Sequence, residues 1–133
     1  MTKVCIVTGA SRGMGYGIAK VLAEEEGATV YATARSKQAL DDLSASTKDS
    51  LGVIHPCVLD QADDDAVERF VLNVKAKEKQ IDLLVNSAYG GLTAMAPHFG
   101  KPFWERPISV FDASMNIGLR SAYVMSKFVA PHM

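Results

Sequence analysis

The sequence predicts an α/β domain whose parallel sheet is wound both ways from its first strand. Short apolar, β-branched runs alternate with segments of helical apolar spacing in the order βαβαβαβ. Such an alternation implies parallel strands joined by right-handed crossovers, and helices cover both faces of the sheet only if the chain winds both ways from its first strand. A glycine-rich turn, Thr8-Gly9-Ala10-Ser11-Arg12-Gly13-Met14-Gly15, separates the first apolar run from the first helical one. The chain has 133 residues, 48% of them hydrophobic, and a net charge of −1, which suffices for one domain with a real core. The doubly wound strand order for four such strands is 3-2-1-4, with ligand at their carboxyl ends.

Each element has its own signal. Lys3 to Thr8 reads as a buried strand. From Gly13 to about Glu26, Met14, Ile18, Val21 and Leu22 recur at helical spacing, and Gly27 ends the helix. Glu24, Glu25 and Glu26 are read as a solvated face. Ala28 to Thr33 is a second strand, rich in β-formers. Ser36 is placed to cap a short helix carrying Leu40 and Leu43. Gly52 to Leu59 is a third strand, which Pro56 moves toward a sheet edge. Asp63, Asp64 and Asp65 open a helix with Val67, Phe70, Val71 and Val74 on one face, and Lys75, Lys77 and Lys79 in its last turns complement the dipole. Ile81 to Val85 is a fourth strand. The stretch from Asn86 to Arg106 reads as irregular, and a loop of that length is usually functional or mobile. Phe103 and Trp104 are expected to anchor it in the core. After Pro107 a long helix carries Phe111, Met115, Leu119, Ala122, Met125 and Val129, and Asn116 and Gly118 predict a kink in it.

Composition excludes several classes. There is no basic excess for nucleic acid or an anionic membrane. No apolar run approaches a membrane span, and no signal peptide is seen before the first strand. Cys5 and Cys57 sit in apolar runs and read as buried thiols of a reducing, intracellular compartment, and no metal site is expected.

A strand, a glycine-rich loop and a helix N-terminus are the parts of a phosphate-binding turn. Gly9 allows a sharp turn, Gly13 removes a side chain where a pyrophosphate would lie, and Gly15 lets the helix approach closely. The spacing is G-x-x-x-G-x-G. It differs from the dinucleotide fingerprint G-x-G-x-x-G, and no Lys-Ser/Thr follows as in a P-loop. At the end of the second strand, where a carboxylate would accept from a ribose 2′-hydroxyl, stand Ala34 and Arg35. With Arg12 in the turn, two guanidinium groups are available for a 2′-phosphate, which predicts NADP(H) over NAD(H).

Thr-Gly-Ala-Ser-Arg-Gly-Met-Gly resembles the cofactor turn of the short-chain dehydrogenase/reductase superfamily, and later segments match in order. Asn86-Ser87-Ala88-Tyr89 resembles that family's Asn-Asn-Ala-Gly segment, with departures at Ser87 and Tyr89. Ala88-Tyr89-Gly90-Gly91, Lys101 to Pro107 and Asn116 to Arg120 are similar to one branch of it. The resemblance implies a Rossmann-like domain over residues 1–133, the NADP-binding N-terminal half of the family's fold. Its cofactor residues would be Gly9, Ser11, Arg12, Gly13, Met14, Gly15, Arg35, Asp60, Gln61, Asn86 and Ala88. Asp60 would accept from the adenine amino group and the Gln61 N–H would meet the ring. A helix N-cap is the competing reading of Asp60. Asn116 would support a water in the proton relay. The implied activity is NADP(H)-dependent interconversion of a small carbonyl and alcohol, steroid-like substrates among them.

In that family the reacting Ser and the Tyr-x-x-x-Lys pair come one strand and one helix later. Tyr123 and Lys127 match the letters, but they share a helix with Asn116, about 10 Å along its axis, and no strand intervenes. They read as a surface or interface pair at i, i+4. The chain by itself is therefore expected to be inactive. The competing reading is a nucleotide-binding or dimerising module, with self-association through the open fourth strand. An S-adenosylmethionine methyltransferase is a third, and Arg35, where that class has an acid, speaks against it.

Overall fold

The computed structural model describes residues 1–133. Its sheet has four parallel strands, β1 (Val4–Val7), β2 (Thr29–Ala34), β3 (Val53–Val58) and β4 (Leu83–Val85), in the order β3-β2-β1-β4. Helices α1 (Gly13–Glu24), α2 (Lys37–Ser46) and α3 (Asp64–Lys77) make the crossovers. Residues alternate along β1, so the sheet has two cores. Cys5 and Val7 pack with Ala19, Ala23, Leu40 and Leu43 of α1 and α2. Val4 and Ile6 pack on the other side with Val67, Val71 and Val74 of α3. Alternation of inward residues on a sheet covered on both faces is what gives this double core.

Local chemistry sets the boundaries. Ser36 Oγ accepts from the Ala39 N–H at 3.3 Å and caps α2. Asp63 Oδ1 accepts from Ala66 at 3.0 Å and caps α3, with Asp64 and Asp65 in its first turn and Lys75 and Lys77 in its last. The capping reading of Asp60 is thereby corrected: Asp60 Oδ1 accepts from Ala62 N–H at 2.9 Å within the turn before the helix. Gly27 has φ +61° and follows α1 as predicted. In β3 the Val53 and Leu59 N–H groups donate to Ala28 and Ala34. The alternation of a parallel ladder then turns the Pro56 nitrogen to the open edge, where a missing N–H costs nothing.

The sequence reading of α1 is corrected. Met14 and Val21 are exposed, and the buried stripe is Gly15, Ala19 and Ala23. Small residues at i, i+4 and i+8 bring the helix axis close to the sheet, and the larger side chains are displaced to its flanks. Cys57 is also only half-buried, unlike Cys5.

After β4 the chain is more ordered than predicted. It forms α4 (Gly91–Met95) and two 3₁₀ turns, Ala96–His98 and Phe103–Glu105. Phe103 and Trp104 do not anchor in the core: they are 77% and 74% exposed and meet edge to face at 5.5 Å. The last helix is two, α5 (Ile108–Ser114) and α6 (Ser121–Val129), joined by a π-helical turn (Met115–Arg120) in which Ile117 is non-helical at φ −105°, ψ 65°. The predicted kink is present, and it divides the apolar face. Val124, Met125 and Val129 enter the core beside α3, while Phe111 and Leu119 are exposed. Arg120 grips Asp64 at the start of α3 through two hydrogen bonds of 2.8 and 2.7 Å. No helix is long and apolar enough to cross a membrane.

Candidate functional site

The strand order reverses between β1 and β4, and the loops leaving their carboxyl ends meet there. Thr8, buried at the end of β1, makes the join. Its N–H donates to the Val85 carbonyl at 3.0 Å. Its Oγ1 accepts from the Ser87 and Ala88 N–H groups at 3.0 and 3.1 Å. On the other flank Ala10 N–H donates to Thr33 at the end of β2, at 3.0 Å. The glycine turn is thus held between the β2 and β4 loops. Thr8 was not among the predicted site residues, because a strand's last β-branched residue carries no local sign of such a role.

Gly9 and Gly13 have φ of +62° and +60°. A methyl group on Gly9 would lie 2.7 Å from the Ala88 Cα, whereas one on Gly13 would meet nothing within 4 Å. A methyl on Gly15 would lie 2.3 Å from the Gly9 carbonyl oxygen, so this glycine's close approach is to the turn itself. The caps differ in kind: α2 and α3 are closed by side chains, but α1 has no capping side chain and no acid in its first turn. The N–H groups of Ser11, Arg12, Gly13, Met14 and Gly15 donate to no protein acceptor. Open amides at the positive end of a twelve-residue helix, beside unfilled space at Gly13, have the chemistry that favours an anion.

The remaining predicted residues divide by side. Arg12 precedes α1, is exposed, and reaches only the Thr93 hydroxyl of α4, at 3.5 Å. Arg35 is exposed immediately after β2, and neither guanidinium is in an ion pair. Asp60 and Gln61 follow β3. The Asp60 carboxylate is exposed, and the Gln61 side chain turns inward, leaving its buried Nε2 without a partner. The adenosine-side candidates therefore stand at the ends of β2 and β3. Asn86 and Ala88 stand on the β4 side, where Asn86 Nδ2 donates to Ser126 Oγ of α6 at 3.1 Å. Asn116 lies in the π-helical turn with an exposed side chain. Its carbonyl and that of Gly118 accept from the Ser121 N–H. Tyr123 and Lys127 are exposed on α6, and the Lys127 ammonium lies 5.7 Å from the Phe128 ring. No three His, Cys, Asp or Glu side chains converge as metal ligands would.

The crevice is open. A cavity of about 360 Å³ lies between β3 and α3, beside Cys57 and Phe70. Burial pushes the Cys57 thiol pKa up, while nearby Lys77 draws it the other way. Arg69 lines that region, but the open amides, Arg12 and Arg35 do not.

The sequence profile of the short chain dehydrogenase family matches residues 3–133. The chain belongs to the short-chain dehydrogenase family. It is 41% identical over 132 residues to dehydrogenase/reductase SDR family member 1 of Mus musculus, and 38% identical over 129 residues to that of Homo sapiens. Each alignment covers 96% of this chain but 41% of the relative, so the chain spans less than half the length of these relatives. Among solved structures it is similar to a metagenomic short-chain oxidoreductase in complex with NADP, with a TM-score of 0.85 and 32% identity. That match covers 98% of this chain and 56% of the other. The family is one of nucleotide-binding oxidoreductases with a Rossmann-like fold.

Proposed function

We propose that residues 1–133 form the NADP(H)-binding half of an oxidoreductase that interconverts a small carbonyl and its alcohol. The observation that carries this reading is the row of unpaired amides from Ser11 to Gly15 at the open end of α1. These amides would hold the pyrophosphate, with Gly13 leaving room for it. Arg12 and Arg35 would hold the 2′-phosphate, since no carboxylate follows β2 to favour a free hydroxyl. Asp60 and the Gln61 N–H would meet the adenine, and Asn86 and Ala88 the opposite side of the crevice. The coenzyme supplies a hydride to a carbonyl carbon, or accepts one from an alcohol. The residues of this chain bind and orient it, and Asn116 would hold a water for proton transfer.

The test is affinity for NADP⁺ against NAD⁺ by calorimetry. A charged hydrogen bond contributes about 1.5–3 kcal/mol, so Arg35→Ala should weaken NADP⁺ roughly 10- to 100-fold and leave NAD⁺ nearly unchanged. Arg12→Ala should act in the same direction. Equal affinity of the unaltered chain for both coenzymes would defeat the assignment. A second reading, a binding module without turnover, is favoured for the chain alone by the exposed places of Tyr123 and Lys127 on α6. It predicts coenzyme binding with no oxidation of NADPH by any carbonyl. Turnover that Tyr123→Phe abolishes would exclude it.

A further inference from the structure

Tyr89 stands where the family's common segment has glycine, and its surroundings are shaped to receive it. Its hydroxyl donates to Ser114 Oγ at 3.2 Å, and Ser114 Oγ donates onward to the Val110 carbonyl at 2.8 Å. A methyl group on Gly91 would lie 2.3 Å from the phenol oxygen and 2.2 Å from Ser114 Oγ. One on Gly118 would lie 3.4 Å from the ring's Cδ2. The ring, half of it exposed, therefore occupies a slot that Gly91 leaves open at the start of α4, and it touches the π-helical turn at Gly118 in ordinary van der Waals contact. Beside it, Gly90 N–H donates to the Ile117 carbonyl at 2.7 Å, at the one residue where the helix is broken. The loop after β4 and the kink are thus clasped twice, through a side chain and through the backbone.

We propose that Tyr89 is a positioning residue that holds the kink open, and with it Asn116, on the β4 side of the coenzyme crevice. This rests on the coenzyme reading above and adds a role to it. A π-helical turn carries one residue more per turn than an α-helix, so it persists where something outside the helix occupies the freed groups. Here Gly90 takes the Ile117 carbonyl, and the Tyr89 ring holds Gly90 in place. Without the ring the segment is free to close toward a regular helix, which rotates Asn116 about the axis. The clasp lies on the β4 side, away from the ends of β2 and β3, so its loss should affect the nicotinamide half of a coenzyme and spare the adenosine half.

The experiment compares Tyr89→Phe and Tyr89→Ala with the unaltered chain, using NADP⁺ and adenosine 2′,5′-bisphosphate as probes. Amide exchange is read at Gly90 and Ser121. Tyr89→Phe keeps the ring and removes only the hydroxyl, so it guards against a mere failure to fold. The expected result is exchange about tenfold faster at Gly90 and Ser121 in Tyr89→Ala, with a smaller effect in Tyr89→Phe. The ratio of NADP⁺ to bisphosphate affinity should fall about fivefold, the worth of roughly one hydrogen bond, with bisphosphate affinity held within about twofold. An unchanged ratio overturns the proposal, and so does equal loss of both probes or unaltered exchange at the two amides. If the unaltered chain binds neither probe, the coenzyme reading itself fails, and this role fails with it.

Discussion

Gly9 and Gly13 have nearly the same φ, and their substitution should have opposite consequences. In Gly9→Ala the new methyl group lies 2.7 Å from the Ala88 Cα and 2.8 Å from its nitrogen. These are backbone atoms, and Thr8 pins them through its bond to the Ala88 N–H. The β1 and β4 loops must then separate. Holding an alanine at φ +62° costs about 1–2 kcal/mol, and overpacking against an immovable backbone about 1–3 more, so destabilisation of roughly 2–5 kcal/mol is expected. In Gly13→Ala the strain term is similar, but the methyl meets nothing within 4 Å, so the loss should stay near 1–2 kcal/mol. That methyl does, however, enter the space assigned to the pyrophosphate. Urea unfolding at constant m gives the stabilities, and calorimetric titration with NADP⁺ gives the binding. Gly13→Ala should remain folded and bind at least tenfold more weakly, the cost of about 1.4 kcal/mol. Gly13→Ala with full NADP⁺ affinity would refute the anion cradle, and Gly9→Ala as stable as Gly13→Ala would refute the contact between the loops.

Three further substitutions probe the frame of the site. Thr8→Val removes the acceptor of the Ser87 and Ala88 N–H groups and should cost roughly 2–4 kcal/mol in urea unfolding, whereas Thr8→Ser should cost about 1 kcal/mol for its lost methyl. Asp63→Ala should lose about 1 kcal/mol of stability with its cap, while Asp60→Ala, which caps no helix, should chiefly weaken NADP⁺ binding. The Asp64 carboxyl is held below its ordinary pKa of 3.8, first by its hydrogen bond from Arg120. A depressed folded pKa contributes stability that is complete above the unfolded pKa and is lost as pH falls through the folded one. The stability gap between the unaltered chain and Asp64→Asn should therefore be constant at neutral pH and close below about pH 4. A gap that widens on acidification would contradict the sign. Because the pair is exposed, salt should narrow the gap as well.

What was legible in the sequence was local. Ser36, Asp63 and Gly27 announce helix ends because a cap is chemistry between near neighbours. Pro56 announces an edge because it lacks a donor, and Asn116 and Gly118 announce a kink because neither suits a helix interior. The strand order followed from the alternation of elements, the right-handed crossover rule and the doubly wound pattern, in which the chain winds both ways from its first strand. The misread features depend on what a segment meets. Met14 and Val21 look like a core face by size, yet α1 is seated by Gly15, Ala19 and Ala23, since close approach selects for the absence of bulk. Phe103 and Trp104 look like anchors, yet they pack on each other with most of their surface open.

The same distinction runs through the site itself. The glycine turn could be recognised within eight residues, but the crevice exists because that turn touches a loop some 80 positions away. Thr8 reaches Ser87 and Ala88 across separations of 79 and 80 residues, and Gly9 is glycine because Ala88 lies against it. Tyr89 repeats the pattern, reaching Ser114 across 25 positions to hold a kink whose cause was legible but whose partner was not. The proposed anion cradle is thus specified twice, by glycines that leave the α1 amides open and by a threonine that fixes what stands opposite them. A substitution at Thr8 should therefore disturb binding as well as stability, although its side chain is buried and its hydroxyl is already committed to the β4 loop.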